Sequence, residues 1–267
     1  MIIQHATARL IAHASRLKLK KNRDAEGLFL LEGERLVRDA LEEHISISHL
    51  IVSDARLYHY NSLITACEEA NIQVYVSTAK QFLKLTDTRQ PQGIAAVAPI
   101  PSPAGVDDAA LSSEVPVVAL HGIADPGNLG TIIRAMDWFG IPLLLLSSGS
   151  VEPWNPKVVR SAMGSMFRVR ICHYDTEEEL LRIAHTAGRT LLAAVAEGGQ
   201  ALPRLHVPPR PLLVLGSEAH GLPAPLLDSA HNAVTIPGSG AAESLNLAMS
   251  ATILLYAFHV AGWSLTD

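Results

Sequence analysis

Six short apolar runs lie between residues 115 and 237: VPVVALHGI (115–123), PLLLLSS (142–148), RVRICHY (168–174), TLLAAVA (190–196), PLLVLGS (211–217) and AVTIP (233–237). They do not alternate between apolar and polar positions, as strands with one wet face do. Helical patterns separate most of them, among them GNLGTIIRAMDWFG (127–140) and DTEEELLRIAHTAG (175–188). Unalternating apolar strands with helices between them predict an α/β fold built on a parallel sheet covered on both faces. Ligands of such sheets sit beyond the carboxyl ends of the strands, so chemistry is to be sought in the loops there.

The chain has 267 residues, enough for one large or two ordinary domains. Its 48% hydrophobic and 18% charged content is that of a globular protein, not a disordered one. PIPSPAGVDDAALSSEVP (99–116), rich in Pro, Ser, Gly and Asp, reads as a linker and gives domains at 1–100 and 115–267 with a linker at 101–114. The first domain alternates strands (GLFLLEG, ISHLIVS, IQVYVS, GIAAVAP) with helices (ERLVRDALEEH, LITACEEA), as a small α/β sandwich would. The N-terminus carries no signal-peptide pattern and no apolar run is long enough to span a membrane. Cys67 and Cys172 lie far apart without metal-ligand spacing, so reduced thiols and a cytoplasmic protein without a metal are expected. The formal net charge of −5 argues against nucleic-acid binding over the whole surface but not against a local patch. Residues 1–24 supply one: Arg9, Arg16, Lys18, Lys20, Lys21 and Arg23 face only Asp24. By charge alone such a stretch is better explained as a solvated helix.

Three loops carry the polar residues of the second part. In DPGNLGTIIRAMDWFG, Asn128 reads as a helix cap, and Arg134 points away from the apolar face formed by Leu129, Ile132, Ile133, Met136 and Phe139. In LLVLGSEAHGL, Gly216 ends a buried strand and allows a turn or the close approach of a ligand, and Glu218 follows it. In IPGSGAAESLNLAMSATILLYAF (236–258), a Gly- and Ser-rich loop leads into a helix that is apolar almost all round, with Glu243, Asn246 and Ser250 as a narrow polar line. That loop could cap the helix or hold an anion at the helix start. Neither GxxxxGK[ST] nor GxGxxG occurs, which disfavours nucleoside triphosphates and nicotinamide cofactors. GxSxG, HExxH and CxxC are absent too, removing the signatures of nucleophile-elbow hydrolases and zinc sites. Trp138, Trp154 and Trp263 are expected to serve packing.

Taken in order, Asn128, Gly130 and Arg134, then Gly216, Glu218 and Gly221, then Ser244, Leu245 and Asn246 resemble the SpoU (TrmH-like) family of the SPOUT methyltransferases. NPKVVRSAMGSMFRV (155–169) is similar to the family segment between the first two motifs, and the likeness covers about 150 residues. The first hundred residues are similar to the L30e-like substrate-binding domain that many members carry, through NRDAEGLFLLEGERLVRDAL and QPQGIAAVAP. Ala219 and Leu247 stand where many members have glycine and valine, and neither removes a functional group.

This resemblance implies S-adenosylmethionine-dependent methylation of a ribose 2′-hydroxyl in RNA, most simply ribosomal RNA, by a homodimer with a trefoil knot in the C-terminal domain. It implies cofactor contacts at Leu215, Gly216, Ile236 and Leu245, with Arg134 facing the target hydroxyl and Asn128, Glu218, Ser244 and Asn246 shaping the site. Lys18, Lys20, Lys21 and Arg23 then become candidate phosphate contacts. The rival expectation is a non-catalytic RNA-binding or ribosome-assembly factor, against which the intact motifs count.

Overall fold

The computed structural model describes residues 3–88, 90–102 and 109–263. It divides into two compact units, Met1–Ser102 with Trp154–Phe167, and Pro103–Pro153 with Arg168–Asp267. The linker residues 103–108 and the side chain of Trp263 lie outside the described set.

The first unit holds the strands β1 (Gln4–His5), β2 (Leu28–Glu32), β3 (His49–Ser53), β4 (Gln73–Ser77) and β5 (Ile94–Pro99). Its helices are α1 (Ala8–Arg16), α2 (Lys20–Glu26), α3 (Glu34–Glu42), α4 (Asn61–Glu69), α5 (Ala79–Phe82) and, from the later segment, α8 (Pro156–Ala162). The mixed sheet runs β1-β4-β3-β5-β2, with β5 antiparallel to both β2 and β3. One core cluster lies between this sheet and α1, with Ile11, Ala14, Leu17, Leu30, Ile51, Phe82 and Val97 all buried. The segment Trp154–Phe167 is built into this unit although it follows β7 in sequence: Trp154 packs on Phe29 with ring centroids 4.8 Å apart, and Arg160 pairs with Glu32 at 3.3 Å. Glu32 also accepts from Thr88 Oγ1 at 2.6 Å and from Thr86.

The second unit comprises α6 (Ala109–Ser112), β6 (Val117–Leu120), α7 (Pro126–Trp138), β7 (Leu143–Ser147), β8 (Arg170–Tyr174), α9 (Glu177–Thr186), β9 (Thr190–Ala194), β10 (Gln200–Ala201), β11 (Pro211–Leu215), α10 (Ala224–Asp228), β12 (Asn232–Thr235) and α11 (Leu247–Phe258). Its seven strands are all parallel, in the order β10-β12-β9-β11-β6-β7-β8. Every residue of β6, β7 and β11 is buried, which is why these strands read as continuous apolar runs. Helix α9 starts where Thr176 accepts from Glu179 N and three glutamates fill the first turn, a favourable match to the helix dipole.

One expectation gains a detail here and one is corrected. A short helix, α6, stands in the stretch read as linker. Carbonyls of α6 and of the residues just after it are gathered by the buried guanidinium of Arg189, which donates to Ala110, Leu111, Ser113 and Val115 at 2.5–3.1 Å. Burial and the neighbouring Arg210 push the pKa of Arg189 down to about 10. Nothing local to the Pro- and Ser-rich stretch could announce a partner nearly eighty residues away. Trp138 is not a packing residue in this chain: it is 83% exposed at the end of α7.

Candidate active site

The polar loops meet where the sheet changes its winding direction. From β6 the chain proceeds to β7 and β8 on one side, and the later strands all lie on the other, beginning with β11. Leu120 and Leu215 are register partners at the carboxyl ends of β6 and β11. A cleft of about 220 Å³ opens there, lined by Gly122, Ile123 and Ala124 after β6, Ser217–His220 after β11, and Leu247 at the start of α11. A topological switch point is where parallel sheets bind ligands. The loop after β6 is held by side chains from the β7 end: Gly122 N donates to Ser147 Oγ at 2.9 Å and Ile123 N to Ser150 Oγ at 3.1 Å.

Helix α7 begins one turn earlier than Asn128. Asp125 is the cap, accepting from Asn128 N at 2.9 Å, with Pro126 in the first helical turn, where its missing N–H costs nothing. This corrects the expectation of Asn128 as a cap and frees its side chain for another task. Asn128 is only 9% exposed, and its Nδ2 donates to Glu218 Oε1 at 2.9 Å. Asn246 Nδ2 donates to Asn128 Oδ1 at 2.9 Å and to Glu218 Oε1 at 3.2 Å, and Leu247 N reaches the same Oε1 at 3.3 Å. Asn246 Oδ1 caps α11, accepting from Ala248 N at 3.0 Å and Met249 N at 3.3 Å. One carboxylate oxygen and two amides therefore tie together the starts of α7 and α11 and the loop after β11.

Glu218 is presented by a tight turn in which Gly221 N donates to Ser217 O at 2.8 Å and His220 N to Ser217 Oγ at 3.1 Å. Gly216 makes the turn possible. A Cβ there would strike the Gly221 carbonyl and come within 2.6 Å of Leu222 N. What approaches this glycine closely is the chain's own backbone.

Arg134 is exposed on α7, and its guanidinium makes no hydrogen bond or ion pair among the described residues. Six residues separate it from Asn128, which at 100° per residue sets the two side chains about 120° apart around the helix. Ser244 and Leu245 lie in the exposed loop before α11, with Leu245 45% exposed. Of the four expected cofactor positions, Leu215 and Gly216 are buried at the end of β11, and Ile236 is half-buried after β12. The cleft wall is instead made by their neighbours, among which Ile123, Ala124 and His220 escaped notice in the sequence and Leu247 drew it only as a departure from the family's valine. For Ile123 and Ala124 the available signal was their place directly after a buried strand.

Glu243 and Ser244 precede the last helix, and within the single chain one side of it is left exposed. Met249, Ile253, Tyr256 and Val260 are 60%, 37%, 56% and 62% exposed, and their spacing puts them along one face. The opposite side, including Leu247, Ala251, Leu254, Leu255 and Phe258, is buried.

The basic N-terminal cluster is also revised. Arg23 is 1% exposed and donates to Leu17 O at 2.6 Å; burial holds its pKa below the ordinary arginine value. It is an internal tie, not a surface charge, and the expectation of a phosphate contact there is corrected. Lys18 pairs with Asp87 at 3.0 Å and Lys20 with Asp24 at 2.8 Å, while Lys21 is exposed. Among the described residues no group of three or more His, Cys, Asp or Glu could hold a metal ion, and no helix is long and apolar enough to cross a membrane.

Comparison with known proteins accounts for both units. The SpoU rRNA methylase family model matches residues 116–256, and an MRM3-like substrate binding domain model matches residues 9–96. The 23S rRNA (guanosine(2553)-2′-O)-methyltransferase RlmP of Bacillus subtilis is 30% identical over 256 residues, covering 95% of this chain and 97% of that protein. The 23S rRNA (adenosine(1067)-2′-O)-methyltransferase of Streptomyces laurentii is 31% identical over 198 residues, 73% of this chain and 72% of that one. An AdoMet-bound rRNA methyltransferase from Sinorhizobium meliloti superposes with a TM-score of 0.84 at 28% identity, covering 96% of this chain and 95% of that one. With the ordered motifs joined in one hydrogen-bonded cluster at the switch point, the chain belongs to the SpoU rRNA methylase family.

Proposed function

We propose that this protein methylates a ribose 2′-hydroxyl of ribosomal RNA, using S-adenosylmethionine. The observation that carries the reading is the Asn128–Glu218–Asn246 cluster, which brings three distant motifs to the edge of the switch-point cleft. The two relatives act on different nucleosides but share the ribose 2′-oxygen as their target. The cleft suits the cofactor: it is lined by small and apolar residues, Gly122, Ile123, Ala124, Ala219 and Leu247 among them, with one acidic residue, Glu218. Small and apolar residues fit a neutral purine, and a carboxylate fits the positive sulfonium. The bound cofactor supplies an electrophilic methyl group.

The residues of the chain then have positioning tasks. Glu218 and the two amides hold the cleft in one shape, and alignment of the reacting atoms alone contributes up to about 7–11 kcal/mol. Arg134 acts as a hydrogen-bond donor: its guanidinium clamps an RNA phosphate and orients the hydroxyl, whose proton passes to water. Ser244 and Leu245, in the exposed loop, take part when substrate and cofactor are in place. Leu215, Gly216 and Ile236 offer backbone groups to the cofactor from the strand ends. The first unit binds RNA, as an L30e-like domain would, with Lys18, Lys20 and Lys21 as phosphate contacts.

The reading includes a homodimer in which the apolar face of Met249, Ile253, Tyr256 and Val260 is covered by a second copy. It includes the trefoil knot as well. Its support is the path of the chain: α11 leaves β12, three places from β6 in the sheet, and returns to pack on α7. A cytoplasmic location and a metal-independent reaction complete the proposal.

Calorimetry with S-adenosylmethionine, followed by single-turnover methylation with Arg134→Ala and Arg134→Lys, tests it. Binding is expected in all three proteins, with lysine failing to restore most of the lost rate because it lacks the bidentate fork. Absence of cofactor binding in the parent protein would favour the non-catalytic RNA-binding role. Sedimentation of Ile253→Glu is expected to give a monomer; an unchanged dimer would move the interface elsewhere.

A further inference from the structure

At one end of the first sheet, β2, β3 and β4 finish and β5 begins. The segment from β3 to α4 at this end is anchored at both sides and bare between them. Ser53 is 4% exposed and Tyr60 3%, whereas Asp54, Ala55, Arg56 and His59 face solvent and Tyr58 is 97% exposed. Among the described residues of this unit, Tyr58 is the exposed aromatic; Phe29, Tyr60 and Phe82 are all buried.

The bare segment is rigidly held. Ala55 N donates to Asp54 Oδ1 at 2.7 Å, Tyr60 N to Arg56 O at 3.2 Å, and Ser53 N to Gly93 O at 2.8 Å. The Tyr60 hydroxyl, kept protonated by burial, donates to Gln92 O at 2.9 Å. Gly93 has φ +85°, and a Cβ there would lie 2.8 Å from Arg56 Cγ, so the arginine stem lies over a bare glycine. The Arg56 guanidinium has no partner among the described residues, while the nearby Glu34 is engaged by Arg38 at 2.8 Å and His59 at 3.7 Å.

A lone exposed aliphatic residue needs no explanation. A tyrosine ring bare on nearly all its surface, on a pre-organised segment beside an uncommitted cation, is a different feature. Its neighbours in the segment, Asp54, Arg56 and His59, are exposed polar and charged residues, whereas the core of a protein interface is depleted of charged side chains. A flat π-face with a cation next to it matches an unstacked base and its phosphate.

We propose that Tyr58 is a stacking platform for an unpaired base of the target RNA, with Arg56 taking the adjoining phosphate. The proposal rests on the RNA-methyltransferase reading and adds to it the form of RNA recognised, a loop or bulge with a splayed base. A continuous A-form duplex presents no base face to Tyr58.

The test measures affinity of the full-length protein for a short fluorescein-labelled single-stranded RNA of mixed sequence and for its blunt duplex. The variants are Tyr58→Ala, Tyr58→Phe and Arg56→Gln. Loss of one stacked base weakens single-strand binding by roughly 5- to 150-fold in Tyr58→Ala. Tyr58→Phe, which keeps the ring, is expected to stay within about twofold of the parent, and Arg56→Gln to lower the salt slope by about 0.7. Duplex binding is expected to change little in any of them. Single-strand binding by Tyr58→Ala within about twofold of the parent overturns the proposal, as does equal loss on single strand and duplex. S-adenosylmethionine binding, followed in parallel, is expected to be unchanged. Its absence from the parent protein would instead strike at the methyltransferase reading.

Discussion

Replacing Glu218 with alanine tests whether one carboxylate oxygen holds the site together. Glu218 Oε1 accepts from Asn128 Nδ2 at 2.9 Å, Asn246 Nδ2 at 3.2 Å and Leu247 N at 3.3 Å. Asn246 Nδ2 keeps a second partner, Asn128 Oδ1, at 2.9 Å. The donors left without an acceptor are those of Asn128 and Leu247, which are 9% and 8% exposed. A hydrogen bond to a charged group contributes about 1.5–3 kcal/mol, and water entering from the adjoining cleft recovers part of it. The expected cost of Glu218→Ala is therefore about 2–3 kcal/mol. Glu218→Gln can place its amide oxygen where Oε1 stood, losing charge assistance but no acceptor, for about 1 kcal/mol. Urea denaturation of the full-length protein measures both, and hydrogen exchange at the Leu247 amide reports the local loosening of the α11 start. A cost below about 0.5 kcal/mol for alanine would refute the reasoning. Equal costs for alanine and glutamine would also contradict it, because the charge and not the shared acceptor would then be what matters.

Three further outcomes follow from the geometry. Arg189→Met, which leaves the carbonyls of Ser113 and Val115 without this donor inside the second unit, is expected to destabilise the protein by about 3 kcal/mol and to expose α6 to proteolysis; a change below about 1 kcal/mol in urea denaturation would remove its role as a tie. Replacing Lys20 and Lys21 by Gln is expected to weaken RNA binding and to reduce the salt slope by about 1.5, two phosphate contacts' worth, and an unchanged slope would place the phosphate grip elsewhere. Burial, with His13 nearby, holds the His49 imidazole below its ordinary value of 6.5. The unfolded chain then takes up a proton that the folded one refuses, so stability is full above about pH 6.5 and declines as the pH falls. His49→Gln should flatten that acid limb in pH-dependent denaturation, and an unchanged slope would show that His49 is not its source.

The second sheet was legible in the sequence because its central strands β6, β7 and β11 are buried along their whole length, so each reads as an apolar run with no competing pattern. β10, two residues long, carries too little pattern to be seen, and α6 is stabilised by Arg189 from far along the chain. The basic character of residues 18–23 was plain, but not its geometry: seven residues of α2 are too few to show which side of Arg23 faces inward. The site was recognisable from the order of its motifs. That Glu218 would meet both Asn128 and Asn246 depends on β11 lying beside β6, and strand order is a long-range property that no local spacing encodes. The cap of α7 was misplaced by three residues because Asp125 and Asn128 are both good caps, and only the packed structure turns Asn128 inward. The outer face of α11 is apolar like the inner one, so hydropathy alone could not separate the side that packs on α7 from the side left exposed.

The central claim is tested most directly by incubating the full-length protein with methyl-labelled S-adenosylmethionine and ribosomal RNA lacking its natural modifications, then digesting the RNA with alkali. A 2′-O-methyl group blocks cleavage at the following phosphate. The account predicts that the label appears in an alkali-resistant dinucleotide from one position and is lost with Arg134→Ala. Label released with a mononucleotide, which marks methylation of a base, or no transfer to RNA by a protein that binds the cofactor, would contradict it.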